Sequence, residues 1–63
     1  KPSRLIENIN YNPMTKVLQV KLVEGNTYQY NNIDETLVTR FRNADSAGRF
    51  FRENLMSLPS TKL

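Results

Sequence analysis

The sequence predicts an α+β domain in which a three-stranded antiparallel meander is packed on one face by two short C-terminal helices. Three observations predict it. Apolar residues alternate with polar ones through the first half, and the breaks between alternating stretches are of hairpin length. From Ile33 onward the apolar spacing changes to that of a helix.

The central strand carries the clearest signal. In "KVLQVKLV", Leu18, Val20 and Leu22 share one face, while Val17, Gln19, Lys21 and Val23 share the other. This is the period of a strand with one face buried. "NPMT" before it opens on an Asn-Pro turn signal, and "EGN" after it supplies a Gly and an Asn that tolerate positive φ. A four-residue loop over 13–16 sets Tyr11 against Leu18 and Ile9 against Val20, so the first strand joins the same apolar face. Ile6 lies three positions before Ile9 and has the wrong parity, which predicts a bulge near Glu7 or Asn8.

The third strand, "TYQYN", holds two of the three tyrosines of the chain. A three-residue loop over 24–26 sets Leu22 opposite Tyr28 and Val20 opposite Tyr30, with both rings facing the aliphatic row. A two-residue turn would expel the rings to solvent, as a platform for base stacking. The first register pairs apolar with apolar across the sheet and gives Tyr28 and Tyr30 a structural role. The opposite face then carries Asn8, Asn10, Gln19, Lys21, Thr27, Gln29 and Asn31, and reads as wet.

Asp34 is a suitable N-cap for the first helix, with Ile33 and Val38 as a hydrophobic staple and Leu37, Val38, Phe41 and Ala44 as its apolar stripe. Ser46 caps the second, along which Ala47, Phe50, Phe51 and Leu55 recur. Gly48, in its first turn, is a structural position where another element presses close; an anion at the helix start is the alternative reading. Pro59, flanked by Ser and Leu, ends the periodic part, so the expected organisation is one domain over 1–57 and a flexible tail over 58–63.

Composition narrows the function. A 63-residue chain hides too little of its surface to support both a deep pocket and a core beneath it. With no Cys there is no disulfide or thiolate metal site, and with no His the commonest general base and neutral metal ligand are missing. The expectation is no enzyme, no catalytic residues, no metal and no cofactor. No apolar run is long enough to cross a bilayer, and the expected location is cytoplasmic. Nine Lys and Arg against six Asp and Glu give a net charge of +3, mildly favourable for polyanions. Arg49 and Arg52, three apart on the outer side of the second helix, form the candidate phosphate-binding pair, with Arg42 flanking them and Lys21 or Lys16 as a second possibility.

Several motifs occur in a fixed order: Ile6, then Ile9 and Tyr11; the strand Leu18, Val20, Leu22 running to Gly25; Tyr28-x-Tyr30; and Ala44-x-Ser46-x-Gly48-x-Phe50-Phe51. Over residues 3–55 this set resembles the KTSC domain, a family named for the C-terminal extension of some lysyl-tRNA synthetases. The family also occurs as small stand-alone proteins of bacteria and their phages. One departure is "NNID", where the family shows Val-Pro before the first helix. An Asp cap replaces a Pro at a helix start without changing the fold. The resemblance implies an α+β fold and, through the synthetase context, RNA binding; it implies no catalytic residues. The expectation is therefore a small non-catalytic binding module for RNA or single-stranded DNA. The alternative is a protein-interaction module, a bacterial or phage accessory protein acting through a sheet edge or the amide-rich face.

Overall fold

The computed structural model describes residues 5–63. Three strands, β1 (Ile6–Asn12), β2 (Val17–Leu22) and β3 (Thr27–Tyr30), are followed by helix α1 (Glu35–Asn43). Helix α2 (Ala47–Phe50) runs on into a π-helical turn, Phe51–Leu55, and a short strand β4 (Thr61–Lys62) closes the chain. The sheet is antiparallel in the order β1-β2-β3-β4, so the predicted meander is present with one strand added.

β2 sets the layers. Leu18, Val20 and Leu22 are buried, whereas Lys21 between them is exposed. The buried side meets Val38 and Phe41 of α1 and Phe51 and Leu55 of the π turn in a single core cluster. Filling that core from one sheet face requires the parity to hold on every strand, and β1 meets the requirement as expected. Tyr11 pairs with Leu18 and Ile9 with Val20, and the register shifts between Ile6 and Asn8. The extra residue, Glu7, returns Ile6 to the buried side opposite Leu22.

The pairing of β2 with β3 differs from the expected register by two residues. Leu18 faces Tyr30 and Val20 faces Tyr28. The loop comprises Val23, Glu24 and Gly25, closed by Leu22 N–H donating to Asn26 C=O at 2.8 Å and Gly25 N–H donating to Leu22 C=O at 3.0 Å. The physical reason is the position of the glycine. Three-residue hairpin loops place their positive-φ residue last, and Gly25, at φ +113°, takes that place. A shift of two preserves parity, so both rings stay on the inner face. Tyr30 is buried, edge-on to Phe51 with centroids 6.2 Å apart, and Tyr28 packs partly buried against the same cluster.

The turn between β1 and β2 is built by Asn12, whose side-chain oxygen accepts from the N–H groups of Met14 (2.9 Å) and Thr15 (3.4 Å). Its carbonyl accepts from Lys16 N–H at 2.7 Å. Lys16 is left at φ +57°, with its carbonyl turned to receive the N–H of Ile33 at 2.9 Å. The Tyr11 hydroxyl donates to the carbonyl of Ile33 at 2.6 Å. Both backbone polar groups of this buried residue are thereby satisfied, two residues before α1 begins.

Asp34 occupies the predicted N-cap position, but its side chain makes no capping bond. Its backbone carbonyl accepts from Leu37 and Val38, while its carboxylate lies 3.6 Å from the Lys16 ammonium. Ser46 does cap α2, its hydroxyl accepting from Arg49 N–H at 3.3 Å. Gly48 is buried in the first turn of α2. The π turn follows from a bond across five residues, Met56 N–H to Phe51 C=O at 2.9 Å. The amide of Asn54 donates to the Phe50 carbonyl at 3.1 Å, supplying a donor within this altered stretch of the backbone ladder.

The last residues differ from the expected flexible tail. Leu58 N–H returns to Leu55 C=O at 3.0 Å, and the chain then lays β4 along β3, pairing Thr61 with Gln29 and Lys62 with Tyr28. β3 is therefore not a sheet edge over this stretch. Its backbone groups are polar and directional, and the nearest chain able to satisfy them is the protein's own C-terminus.

Two outcomes follow from the Tyr hydroxyls. Tyr11→Phe deletes the donor to the buried Ile33 carbonyl and should destabilise the fold by about 1 to 2 kcal/mol, read as a Tm fall of roughly 4 to 8 °C per kcal/mol. Burial raises the Tyr30 phenol above its ordinary value of 10.0; the Ser60 hydrogen bond opposes this and the Tyr28 phenol adds to it. A raised folded-state pKa contributes stability that is fully present below the unfolded value near 10 and is lost as pH rises through the folded value. The stability of the wild type read by chemical denaturation should therefore fall above about pH 10, and Tyr30→Phe should reduce that alkaline loss.

Candidate functional site

The helical layer presents its cations where α1 ends and α2 begins. Phe41 of α1 stacks on Phe50 of α2 at 5.5 Å with ring planes 14° apart, which holds the two ends together. Three residues, Ala44, Asp45 and Ser46, bridge them. Arg40 and Arg42 lie in the last turn of α1, where a positive charge also complements the helix dipole. The Arg40 guanidinium sits 5.8 Å from the centre of the Phe50 ring, and Phe50 remains partly exposed beneath it. Arg49 and Arg52 follow from α2 and the π turn, both exposed.

These arginines are not equivalent. Arg49 is bound to Glu53 one helical turn on, Nε to Oε2 at 3.1 Å. Arg42 and Arg52 have no salt bridge among the described residues. Their charges are open to an outside anion, whereas Arg49 must share its fork with a carboxylate. Exposed pairs of this kind contribute only about 0.2 to 1 kcal/mol, so an incoming phosphate displaces Glu53 at small cost.

The two candidate lysines lie elsewhere. Lys21 is on the wet side of the sheet, opposite the helices, with its ammonium 3.7 Å from Glu7. Lys16 is in the β1–β2 turn against Asp34, at the N-terminal end of α1. A nine-residue helix is about 13 Å long, so Lys16 and Arg42 sit at opposite ends of it. Arg42, Arg49 and Arg52 are thus exposed on the two helical segments, Arg40 lies beside Phe50, and Lys16 and Lys21 lie elsewhere. Arg40 was missed in the sequence because its value depends on Phe50, ten positions away and brought beside it by the packing of α2 on α1, including the Phe41 stack. On the wet face, the Gln19 amide donates to the Gln29 carbonyl oxygen at 3.1 Å, so these two amides are spent on one another.

A different kind of surface lies where the π turn passes over the sheet. A cleft of about 300 Å³ opens between Leu22, Tyr28, Tyr30, Phe51, Met56 and Ser60, with Glu24 on its wall. Tyr28 and Tyr30, read from the sequence as structural, form its floor. Among the described residues no group of three or more acidic side chains could hold a metal ion, and no helix is long and apolar enough to cross a membrane.

Comparison with known proteins agrees with the order of motifs. The KTSC domain profile matches residues 2–57. The crystal structure of a KTSC domain protein from Yersinia pestis superposes with a TM-score of 0.89 at 31% sequence identity, over 100% of this chain and 90% of that one. No curated protein sequence matches significantly. With its meander, its paired tyrosines on the inner face and its Ser-capped second helix in the places the motifs predict, the chain belongs to the KTSC domain family.

Proposed function

We propose that this KTSC domain is a non-catalytic binding module that holds RNA or single-stranded DNA along the junction of α1 and α2. The observation that carries the reading is the pairing of a partly exposed Phe50 with the Arg40 guanidinium, on the same helical layer as the exposed Arg42 and Arg52, neither of which has a salt bridge among the described residues. Single-strand binders combine cations that follow the backbone with an aromatic surface that tolerates any base. Arginine suits the first task, since its planar fork matches phosphate. Phe50 suits the second once Arg40 swings aside to a phosphate. The absence of both His and Cys supports a role without chemistry.

A protein partner is the second reading, and β4 favours it. A strand already added to β3 marks that side of the sheet as one that accepts an extended chain.

Titration of a fluorescent single-stranded oligonucleotide across a salt series tests the first reading. Affinity should fall linearly with log salt, with a slope of about 0.7 per phosphate contacted. Arg42→Gln with Arg52→Gln should flatten that slope by about 1.4 while leaving the fold intact by circular dichroism. An unchanged slope in the double variant rules out this surface, and absence of binding at low salt rules out the reading.

A further inference from the structure

The C-terminal strand is attached by its backbone alone. Every residue from Ser57 to Leu63 is exposed, so none contributes to the core. What holds β4 is the two-residue pairing with β3 and the Leu63 N–H donating to Thr27 C=O at 2.8 Å. Pairing without burial is marginal in water. Hollows flank the segment on both sides, one of about 300 Å³ over the tyrosines and one of about 470 Å³ against Asn31, Asn32, Ile33, Leu58 and Pro59.

The pleat sharpens the mismatch. Because Lys62 faces Tyr28 and Thr61 faces Gln29, the inner-face positions of this strand are Lys62 and Ser60, the latter opposite Tyr30. The cleft beneath is walled by Leu22, Phe51 and Met56 as well as the two rings, yet the side chain set over it is the hydroxymethyl of Ser60. Met56 is left 64% exposed at its rim. The strand matches the edge in its backbone and fails to fill the hollow with its side chains.

We propose that the β3 edge and this cleft are a receptor for an extended peptide segment of a partner protein, and that β4 occupies it in cis as a displaceable cover. The fitting segment places a large aliphatic side chain opposite Tyr30, into the cleft, and a basic one opposite Tyr28, where β4 already has Lys62; Glu24 lines the same cleft. Main-chain bonds to an edge provide affinity and alternate side chains in pockets provide specificity. The proposal deepens the protein-partner reading and is independent of the arginine surface.

The test uses the full chain with Thr61→Pro, which removes a backbone donor from the two-residue strand, titrated with the peptides Pro-Leu-Thr-Lys-Leu and Pro-Ser-Thr-Lys-Leu and followed by amide chemical shifts. The expected result is perturbation of Thr27 to Tyr30 by both, with the leucine peptide binding at least about tenfold tighter through its buried side chain. Equal affinities with shifts confined to β3 overturn the pocket but leave edge pairing, whereas shifts absent from β3 overturn both. A single-stranded oligonucleotide that displaces the peptide from β3 also overturns the proposal. Should Thr61→Pro fail to fold, Ser60→Leu in the otherwise native chain puts the side chain over the cleft in cis. It should raise Tm by roughly 4 to 8 °C and slow exchange of the Leu63 amide; an unchanged or lowered Tm overturns the proposal.

Discussion

Burial of a single face of β2 is the constraint on which the rest of the molecule depends. Leu18 and Val20 are fully excluded from water, and Leu22 is nearly so. A strand buried on one side commits its neighbours to the same parity, because a slip of one residue would exchange every apolar side chain for a polar one. The bulge at Glu7 is the local cost of that rule at one end of β1, and the glycine-ended loop satisfies it for β3. In so small a domain the two tyrosines cannot be spared for solvent. Tyr30 meets Phe51 edge-on inside the core, and each ring contributes more area than any aliphatic residue available.

The second layer is tied to the first through a few backbone groups that packing alone would leave unsatisfied. Ile33 must be buried, yet it carries an N–H and a C=O that cannot join the sheet. Lys16 and Tyr11, one from the turn and one from β1, meet both needs. This explains why Lys16 accepts a positive φ that costs a side-chain-bearing residue about 1 to 2 kcal/mol. At the other end of the layer, Asn54 offers its amide to the Phe50 carbonyl where the helix widens. A hydrogen bond that leaves no polar group orphaned is worth more than its net stabilisation suggests, since the alternative is an uncompensated desolvation.

With the interior given over to stability, recognition falls to surfaces, and this domain has two of different chemistry. The α1–α2 junction is cationic with an aromatic ring within it. Glu7 pairs with Lys21 and Asp34 with Lys16 away from this surface, and on it Glu53 pairs with Arg49, which leaves Arg42 and Arg52 without a salt bridge among the described residues. The β3 side is apolar and backbone-rich, and its cover is held by few bonds. On the proposed readings, long-range charge draws a polyanion to the first and directional bonds fit an extended chain to the second, so the two need not compete.

The amino-acid sequence by itself determined the class of fold, the inner and outer faces of β1 and β2, the bulge, and the start of both helices. Each of these rests on periodicity or on a capping residue acting within a few positions of itself. It also placed Arg42, Arg49 and Arg52 on one layer, since their spacing is local to two adjacent helices. Tertiary structure alone decided the β2–β3 pairing, where the backbone need of Gly25 overrode the loop that apolar matching suggested. It likewise decided the π turn, the joining of Arg40 to Phe50, the separation of Lys16 and Lys21 from the arginines, and the return of the last residues to β3. In most of these cases the deciding bond connects groups distant in the chain, or depends on which backbone donors and acceptors folding leaves unmatched, and neither is encoded by the spacing of side chains.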